Sequence, residues 1–385
     1  MILATHLDTY GPASSLKEFI TARQVQFFLW ISHPLMYKKK LSGSGFEFYQ
    51  NNRLVGKFYK KNKEKNLLLT YIEHLVLNIA YTIRTKKKYD LYVGFDNLNA
   101  LSGIILRRLG FVKRCIYYVV DYTPIRFENK LLNWVYHRIE SYCAIHCDET
   151  WNLSPRMIAA RKRFKKISPD KRKQKVVPMG VWLAEINRYD FPEINRFQLV
   201  YMGGIIKKQG LQYVLSAIPI VVKKIPGFKF LVIGDGDYLA VLKRQAKRLE
   251  IEKYTKFAGH ILSIRKVNNL IAKSAAAIAL YEKGDIYRNW SYYADSGKIK
   301  AYLGAGLPVL LSDVPHNAKE LAEKKSGIII KSFEPQSIAD SIIKIMISDR
   351  KLQQYRKNAR EYIRQFDWEI IFEKNLKRVL CKKSF

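Results

Sequence analysis

The feature that most restricts this chain is an alternation of short apolar runs with helical stretches, completed once in the first half of the sequence and begun afresh in the second. In the second half, residues 198–202 (QLVYM) read as a strand closed by Gly203 and Gly204, and residues 211–224 as a helix. Residues 228–233 follow as a strand closed by Gly234, Asp235, Gly236 and Asp237. Then come a helix over 238–249, a strand over 254–258, a helix over 263–274 and a strand over 275–281. The series ends in residues 292–315 (YYADSGKIKAYLGAGLPVLLSDVP). This stretch reads as a loop that opens a helix, a stop at Gly304 and Gly306, and an apolar strand over 308–312. Near-continuous apolar strands separated by helices predict parallel sheets buried on both faces.

The first half follows the same rule with one interruption. Residues 2–6 read as a strand, Tyr10, Gly11 and Pro12 as a turn, 15–23 as a helix and 25–31 as a strand. Residues 37–65 then mix Lys38, Lys39, Lys40, Lys57, Lys60, Lys61, Lys63 and Lys65 with Phe46, Phe48, Tyr49 and Phe58 without a clear period, and read as a basic, aromatic surface segment. Residues 66–84 read as an amphipathic helix, since Glu73, His74 and Asn78 interrupt what would otherwise approach a membrane span. The alternation resumes with a strand at 91–95, a turn over 96–99, a helix ending near Gly110 and a strand at 115–120. A helix containing Trp134 and Tyr136, a strand at 149–153 and a helix opening at Ser154 and Pro155 complete it. A boundary falls between Pro178 and Asn195. The expected fold is α/β, two doubly wound Rossmann-like domains facing a cleft: 1–180, a linker over 181–196, and 197–366.

Residues 292–315 also carry chemistry. Asp295 or Ser296 can cap the helix, and Gly297 has no Cβ, so the amides of Ser296, Gly297 and Lys298 can lie against a ligand. A helix start offers unpaired N–H groups and a partial positive charge, and Lys298 adds a full one, a combination suited to a diphosphate. An ordinary capped helix fits the same residues as well. The loop over 203–210 passes close to any ligand through its glycines, with Lys207 and Lys208 in reach of a phosphate. Asp235 and Asp237 fit a tight strand-to-helix turn better than a metal site. In the first half, Asp96, Asn97, Asn99, Asp121 and Arg126 follow strand ends, where parallel sheets bind ligands, although an Asp after a strand is equally a helix cap.

Charge bounds the partners. The excess of 68 Lys and Arg over 33 Asp and Glu gives a net charge of +35, which favours polyanions of any kind: nucleic acid, anionic lipid or phosphorylated substrates. The charge is spread along the chain and no nucleic-acid motif accompanies it. Cys115, Cys143, Cys147 and Cys381 are too few and too uneven for a disulfide framework, which predicts a reducing compartment. Cys143, His146 and Cys147 lack a second pair at zinc spacing, so burial as small apolar residues is expected. The opening run lacks a basic start and a long apolar core, so a cytoplasmic protein is expected. The basic segment and its neighbouring helix would allow docking on the inner face of an anionic membrane.

The series GGIIKKQGLQYVLSAI, FLVIGDGDY, KFAGHI, YYADSGKIKAYLGAGLPVLLSDVP and SGIII resembles, in order and spacing, the donor half of family 4 glycosyltransferases of GT-B fold (glycosyl transferases group 1). DLYVGFDNLNALSGIILRRLG, IYYVVDYTP and CDETWNLSP are similar to the acceptor domain of the same enzymes, and residues 367–385 to the terminal helix that packs back on it. The resemblance implies a glycosyltransferase that moves a sugar from a nucleotide-diphosphate donor to an acceptor hydroxyl. It implies retention at the anomeric carbon. Preorganised cations and amides at Lys207, Lys208, Gly297 and Lys298 would stabilise the charge that builds on the leaving diphosphate, so no metal or other cofactor is expected, and lipid-linked or surface polysaccharide precursors are the expected setting. Gly203, Gly204, Lys207, Lys208, Gln209, Gly210, Gly234, Asp235, His260, Asp295, Ser296, Gly297 and Lys298 would bind the donor. Tyr10, Gly11, Asp96, Asn97, Asn99 and Arg126 would face the acceptor, and Asp121 would orient or deprotonate its hydroxyl. The sequence departs from the family pattern at Gly204, where many members have Arg, and at Gln209, where they have Lys. It departs again at Tyr293 and Ala301, where they have Glu, and at Val120, where they have His. An inactive polyanion-binding protein of the same fold would account for the charge and for the missing glutamates.

Overall fold

The computed structural model describes residues 1–7, 11–34, 43–60, 67–165, 170 and 172–380. Tyr10, Cys381, Lys38, Lys39, Lys40, Lys61, Lys63 and Lys65 therefore lie outside the described residues. The chain divides into two compact units: Met1–Met179 joined by Trp368–Phe385, and Gly180–Asp367.

The first unit runs β1 (Ile2–Leu7), α1 (Pro12–Thr21), β2 (Phe27–Pro34), β3 (Ser44–Gln50), β4 (Arg53–Lys60), α2 (Leu67–Arg84), β5 (Tyr89–Phe95) and α3 (Asn97–Arg108). It continues with β6 (Val112–Val119), α4 (Lys130–His146), β7 (Glu149–Asn152), α5 (Pro155–Lys165) and β8 (Gln174–Val176). Its eight strands lie in the order β4-β3-β2-β1-β5-β6-β7-β8. The order reverses between β1 and β5, where parallel sheets of this kind open a ligand crevice.

Two expectations change here. The segment expected to lack regular structure contains β3 and β4, which pair antiparallel with each other and with β2. Asn51 and Asn52 make their connection, both with positive φ (46° and 63°), as a two-residue hairpin turn requires; Asn reaches that region more readily than other side chains. The turn expected over 96–99 is instead the start of α3. Asp96 is its N-cap, and its carboxylate accepts bonds from the amides of Leu98 (3.1 Å) and Asn99 (3.2 Å).

Helix α2 is amphipathic with its faces reversed. Thr70, His74, Asn78 and Thr82, spaced one turn apart, are buried, whereas Leu68, Leu69, Ile72, Val76 and Ile83 are exposed. The polar face is held by side-chain bonds. His74 Nδ1 lies 3.0 Å from His6 Nε2, and Asn78 bonds His33 (3.1 Å), Asn99 (2.8 Å) and Ser102 (3.2 Å). The terminal helix Trp368–Val379 packs on α1, where Phe372 meets Phe19 and Glu369 pairs with Arg23.

The second unit runs β9 (Asn195–Met202), α6 (Leu211–Lys224), β10 (Lys229–Ile233), α7 (Leu239–Arg248), β11 (Thr255–Gly259), α8 (Ile264–Ala272) and β12 (Ser274–Ala279). It continues with α9 (Trp290–Tyr293), α10 (Gly297–Gly304), β13 (Val309–Leu311), α11 (Ala318–Glu323), β14 (Gly327–Ile329), α12 (Pro335–Met346) and α13 (Asp349–Ile363). Its six strands are all parallel, in the order β11-β10-β9-β12-β13-β14. Apolar residues pack on both faces of this sheet, as the unbroken strands imply: one cluster includes Leu199, Val214, Phe230 and Ile342, the other Val200, Leu231, Leu303 and Ile363. Its order reverses between β9 and β12.

Candidate active site

Beyond the carboxyl end of β9 the chain turns at Gly203, whose φ of 145° is open to glycine alone, and packs against the turn after β10. A Cβ on Gly234 (φ 139°) would lie 2.0 Å from the Gly203 carbonyl oxygen, so the two turns fit only as glycines. Into this angle α10 sends Lys298. Its Nζ would stand 3.1 Å from a Cβ on Gly203, which places the amine directly against the bare backbone of the β9 turn.

The surroundings of that amine decide what it can do. Lys298 Nζ donates to Gln209 Oε1 (2.6 Å) and lies 3.3 Å from the Tyr201 hydroxyl. It stands 4.6 Å from the centre of the Tyr201 ring and 5.3 Å from that of Tyr281. Burial pushes its pKa down from 10.5 to about 7, with no carboxylate acting on it. Burial also raises the Tyr201 and Tyr281 phenols well above their ordinary value, so neither supplies a negative charge. A buried amine with no carboxylate partner among the described residues can take an anion. Ser296 occupies the N-cap of α10, but its hydroxyl bonds Tyr281 (2.7 Å) and caps no amide of the helix. The expected side-chain cap is thus absent, and the first-turn amides are not consumed by one.

The other donor-side residues fall into three groups. Gln209 is buried beside Lys298, and Gly210 sits at the start of α6 with φ 69° and a Cβ position 2.9 Å from Leu280. Gly204, Lys207, Lys208, Asp235 and His260 are exposed, the first four on the turns after β9 and β10 and His260 after β11. Among the described residues no bond joins any of these side chains to Lys298. Asp295 faces the interior instead, 3.3 Å from both Lys300 Nζ and His316 Nε2. Burial alone would raise its carboxyl, but Lys300 and His316 more than offset this and hold it below the ordinary range. Asp295 therefore anchors the loop ahead of α10.

On the first unit, Arg126 is paired with Asp121. Burial works against the guanidinium, but Asp121 outweighs it and keeps Arg126 charged. That pairing occupies the Asp121 carboxylate. Asn97 donates to the Tyr136 carbonyl (3.1 Å) and Asn99 to the Phe95 carbonyl (2.7 Å), so both are committed to the fold. Gly11 is the N-cap of α1; it has no side chain to cap an amide, and its own N–H donates to Ser14 Oγ (3.2 Å). Asp96 lies at the β1/β5 reversal with His6 Nδ1 at 2.5 Å from its Oδ2. Cys115 and Cys147 are buried with their sulfurs 3.6 Å apart, and Cys143 bonds the Asn97 carbonyl. Among the described residues no group of three or more His, Cys, Asp or Glu is placed to hold a metal ion. Sequence reasoning missed Tyr201, Tyr281 and His6. Each reads as an ordinary strand residue, and no local pattern marks it.

Residues 196–348 match the family described as glycosyl transferases group 1. The match lies within the second unit. The glycosyl transferases group 1 match spans β9 to the end of α12 and so contains the whole Lys298 cluster. The chain is 24% identical over 233 residues to an alpha-monoglucosyldiacylglycerol synthase of Streptococcus pneumoniae, covering 54% of this chain and 50% of that protein. It is 25% identical over 166 residues to a phosphatidyl-myo-inositol mannosyltransferase of Mycolicibacterium smegmatis, 43% of this chain and 39% of that one. The match thus spans half or less of the length of these curated relatives. Among solved structures, Anabaena Alr3699/HepE in complex with UDP-glucose superposes with a TM-score of 0.65 at 15% identity over 98% of both chains. Sucrose-phosphate synthase of Thermosynechococcus elongatus gives 0.69 at 14% over 98% of both. The fold is GT-B.

Proposed function

We propose that the protein is a glycosyltransferase that moves a sugar from a uridine-diphosphate donor to an acceptor hydroxyl with retention and without a metal ion. The observation that carries this reading is the buried, carboxylate-free amine of Lys298 at the β9/β12 reversal, set against the glycine backbone of the β9 turn. As the bond between the anomeric carbon and the phosphate oxygen breaks, negative charge grows on the leaving diphosphate. A fixed cation and helix-start amides stabilise that charge more in the transition state than in the ground state. The proton of the acceptor hydroxyl passes to the departing diphosphate. The names of the relatives support a sugar donor, and a neighbour of the same fold is described with UDP-glucose.

A lipid-borne acceptor is the second part of the proposal. The named relatives act on diacylglycerol- and inositol-lipid acceptors by their descriptions. The reversed helix α2 turns Leu69, Ile72 and Val76 outward, and the β3/β4 hairpin adds exposed Leu54 and Phe58 beside Arg53 and Lys57. An apolar face rimmed by cations suits an anionic bilayer surface. None of the described helices is long and apolar enough to cross a membrane. The test is release of UDP from UDP-sugars in the presence of lipid extracts, with and without a chelator. The reading predicts transfer that survives chelation and is lost in Lys298→Ala; transfer unchanged in Lys298→Ala would refute it.

A further inference from the structure

Lys298 is tethered by an uncharged acceptor, and the choice of tether has a chemical consequence. Gln209 comes from the 3-10 turn Lys207–Gln209 and its Oε1 takes the amine's short bond at 2.6 Å. The amide is fixed in turn by its own burial, with the Tyr201 hydroxyl 3.4 Å away; that hydroxyl donates to the Gly204 carbonyl at 2.8 Å. A carboxylate at this position would satisfy the amine and neutralise it. An amide orients the amine and leaves its charge to be satisfied by something else.

Among the described residues no other group near the amine does so. From β9 and the end of β12 the facing titratable groups are the neutral phenols Tyr201 and Tyr281. Glu282, next along, accepts bonds from Gln212 and Tyr213 of α6. On the side of α10 itself, Asp295 is taken by Lys300 and by His316, which precedes α11, and Glu320 of α11 acts on Lys300. Arg356 and Arg360 of α13 bond the carbonyls of Ser274 and Tyr189, and Arg265 and Lys266 of α8 are exposed.

We propose that Gln209 is a positioning residue that orients the Lys298 amine without supplying a counter-charge, so that a nucleoside diphosphate binds together with a proton taken up at that amine. This rests on the donor-site reading above and extends it. The proton comes from solvent and stays on Lys298 Nζ as an ammonium facing the diphosphate oxygens; no covalent bond changes. When the diphosphate leaves, the proton leaves as well.

The test is calorimetric titration of the full chain with UDP at pH 8 in two buffers of different ionisation enthalpy. With the amine near 7, uptake approaches one proton per UDP at pH 8, and the affinity falls about twentyfold from pH 7.5 to 9, above the range where the phosphate itself titrates. Gln209→Glu is expected to abolish both the uptake and the pH dependence, because the amine is then already charged by its pair, and to weaken UDP binding at least tenfold. Gln209→Met is expected to bind about tenfold more weakly and keep the proton uptake. If Gln209→Glu does not fold, Gln209→Met decides the positioning role, and wild-type affinity in that variant overturns it. UDP binding to the wild type without proton uptake, or Gln209→Glu retaining both uptake and pH slope, overturns the proposal and leaves the donor site standing. No UDP binding at all refutes the donor-site reading itself.

Discussion

Replacing Lys298 by Met should make the protein more stable and unable to bind the donor. Burial moves the amine from 10.5 to about 7, and each tenfold is equivalent to about 1.4 kcal/mol. At pH 7, where half of the amine is charged, the folded state forgoes about 4 kcal/mol relative to a side chain that needs no proton. Met has a similar length, no branch and a sulfur suited to the rings of Tyr201 and Tyr281. Against the gain stands Gln209 Oε1, left without its 2.6 Å donor at a loss of about 1 kcal/mol. The net expectation is about 2–3 kcal/mol of added stability at pH 7. For a unit of this size that is a rise of about 5–10 °C in its melting temperature, taking about 2–4 °C per kcal/mol. The pH dependence has a definite sign. Between 7 and 10.5 the unfolded chain holds the proton that the folded chain has released, so the wild type gains stability as pH rises and the advantage of Lys298→Met shrinks toward pH 9. Thermal unfolding at pH 7 and 9, beside a UDP titration, measures both halves. A variant less stable than wild type at pH 7, or one that binds UDP with wild-type affinity, would refute the reasoning.

Gly234→Ala should destabilise the second unit by more than about 1–3 kcal/mol, because its Cβ would lie 2.0 Å from the Gly203 oxygen at a φ of 139°. Gly204→Ala, with open space around it, should leave urea midpoints unchanged. His33 is held well below 6.5 by burial and by His6 and His74, and so resists charging in the fold. Its unfolded form takes up a proton first, so the first unit should lose stability as pH falls through 6.5, by up to about 1.4 kcal/mol per pH unit. His33→Gln should flatten that slope in urea titrations at pH 5 to 7. The double substitution Ile72→Asp, Val76→Asp should abolish sedimentation with anionic vesicles at low salt while UDP affinity stays the same. Sedimentation of the double variant at wild-type levels would remove α2 from the docking surface.

The parallel architecture was legible because its signal is redundant. Apart from β11 (TKFAG), the strands of the second unit carry an apolar run, and α6 falls on the residues whose pattern predicts it, Leu211–Lys224. The hairpin β3/β4 was not legible, since its turn uses Asn51 and Asn52 without glycine and β4 is exposed on both faces, which erases the alternation. Helix α2 showed its amphipathic period but not its orientation. Periodicity reports that two faces differ, and here a buried network of His6, His33, His74, Asn78 and Asn99 outweighs the usual preference for an apolar contact. Around Lys298, the start of α10 was readable from Gly297. Gln209 appeared only as a departure from a family lysine, and its role emerges from a contact between residues 89 positions apart. Asp295 read as a cap because sequence spacing is blind to His316 and Lys300, which claim it from the interior.

The proposed chemistry requires a single nucleoside-diphosphate site built on Lys298. Calorimetric titration at physiological salt with UDP, GDP, ADP and dTDP, beside an RNA oligomer as a polyanion control, tests it most directly. One-to-one binding of UDP, weak binding of the others and loss of the UDP signal in Lys298→Met are expected. Binding of the RNA alone, falling steeply with salt, or UDP binding that survives Lys298→Met, would contradict it.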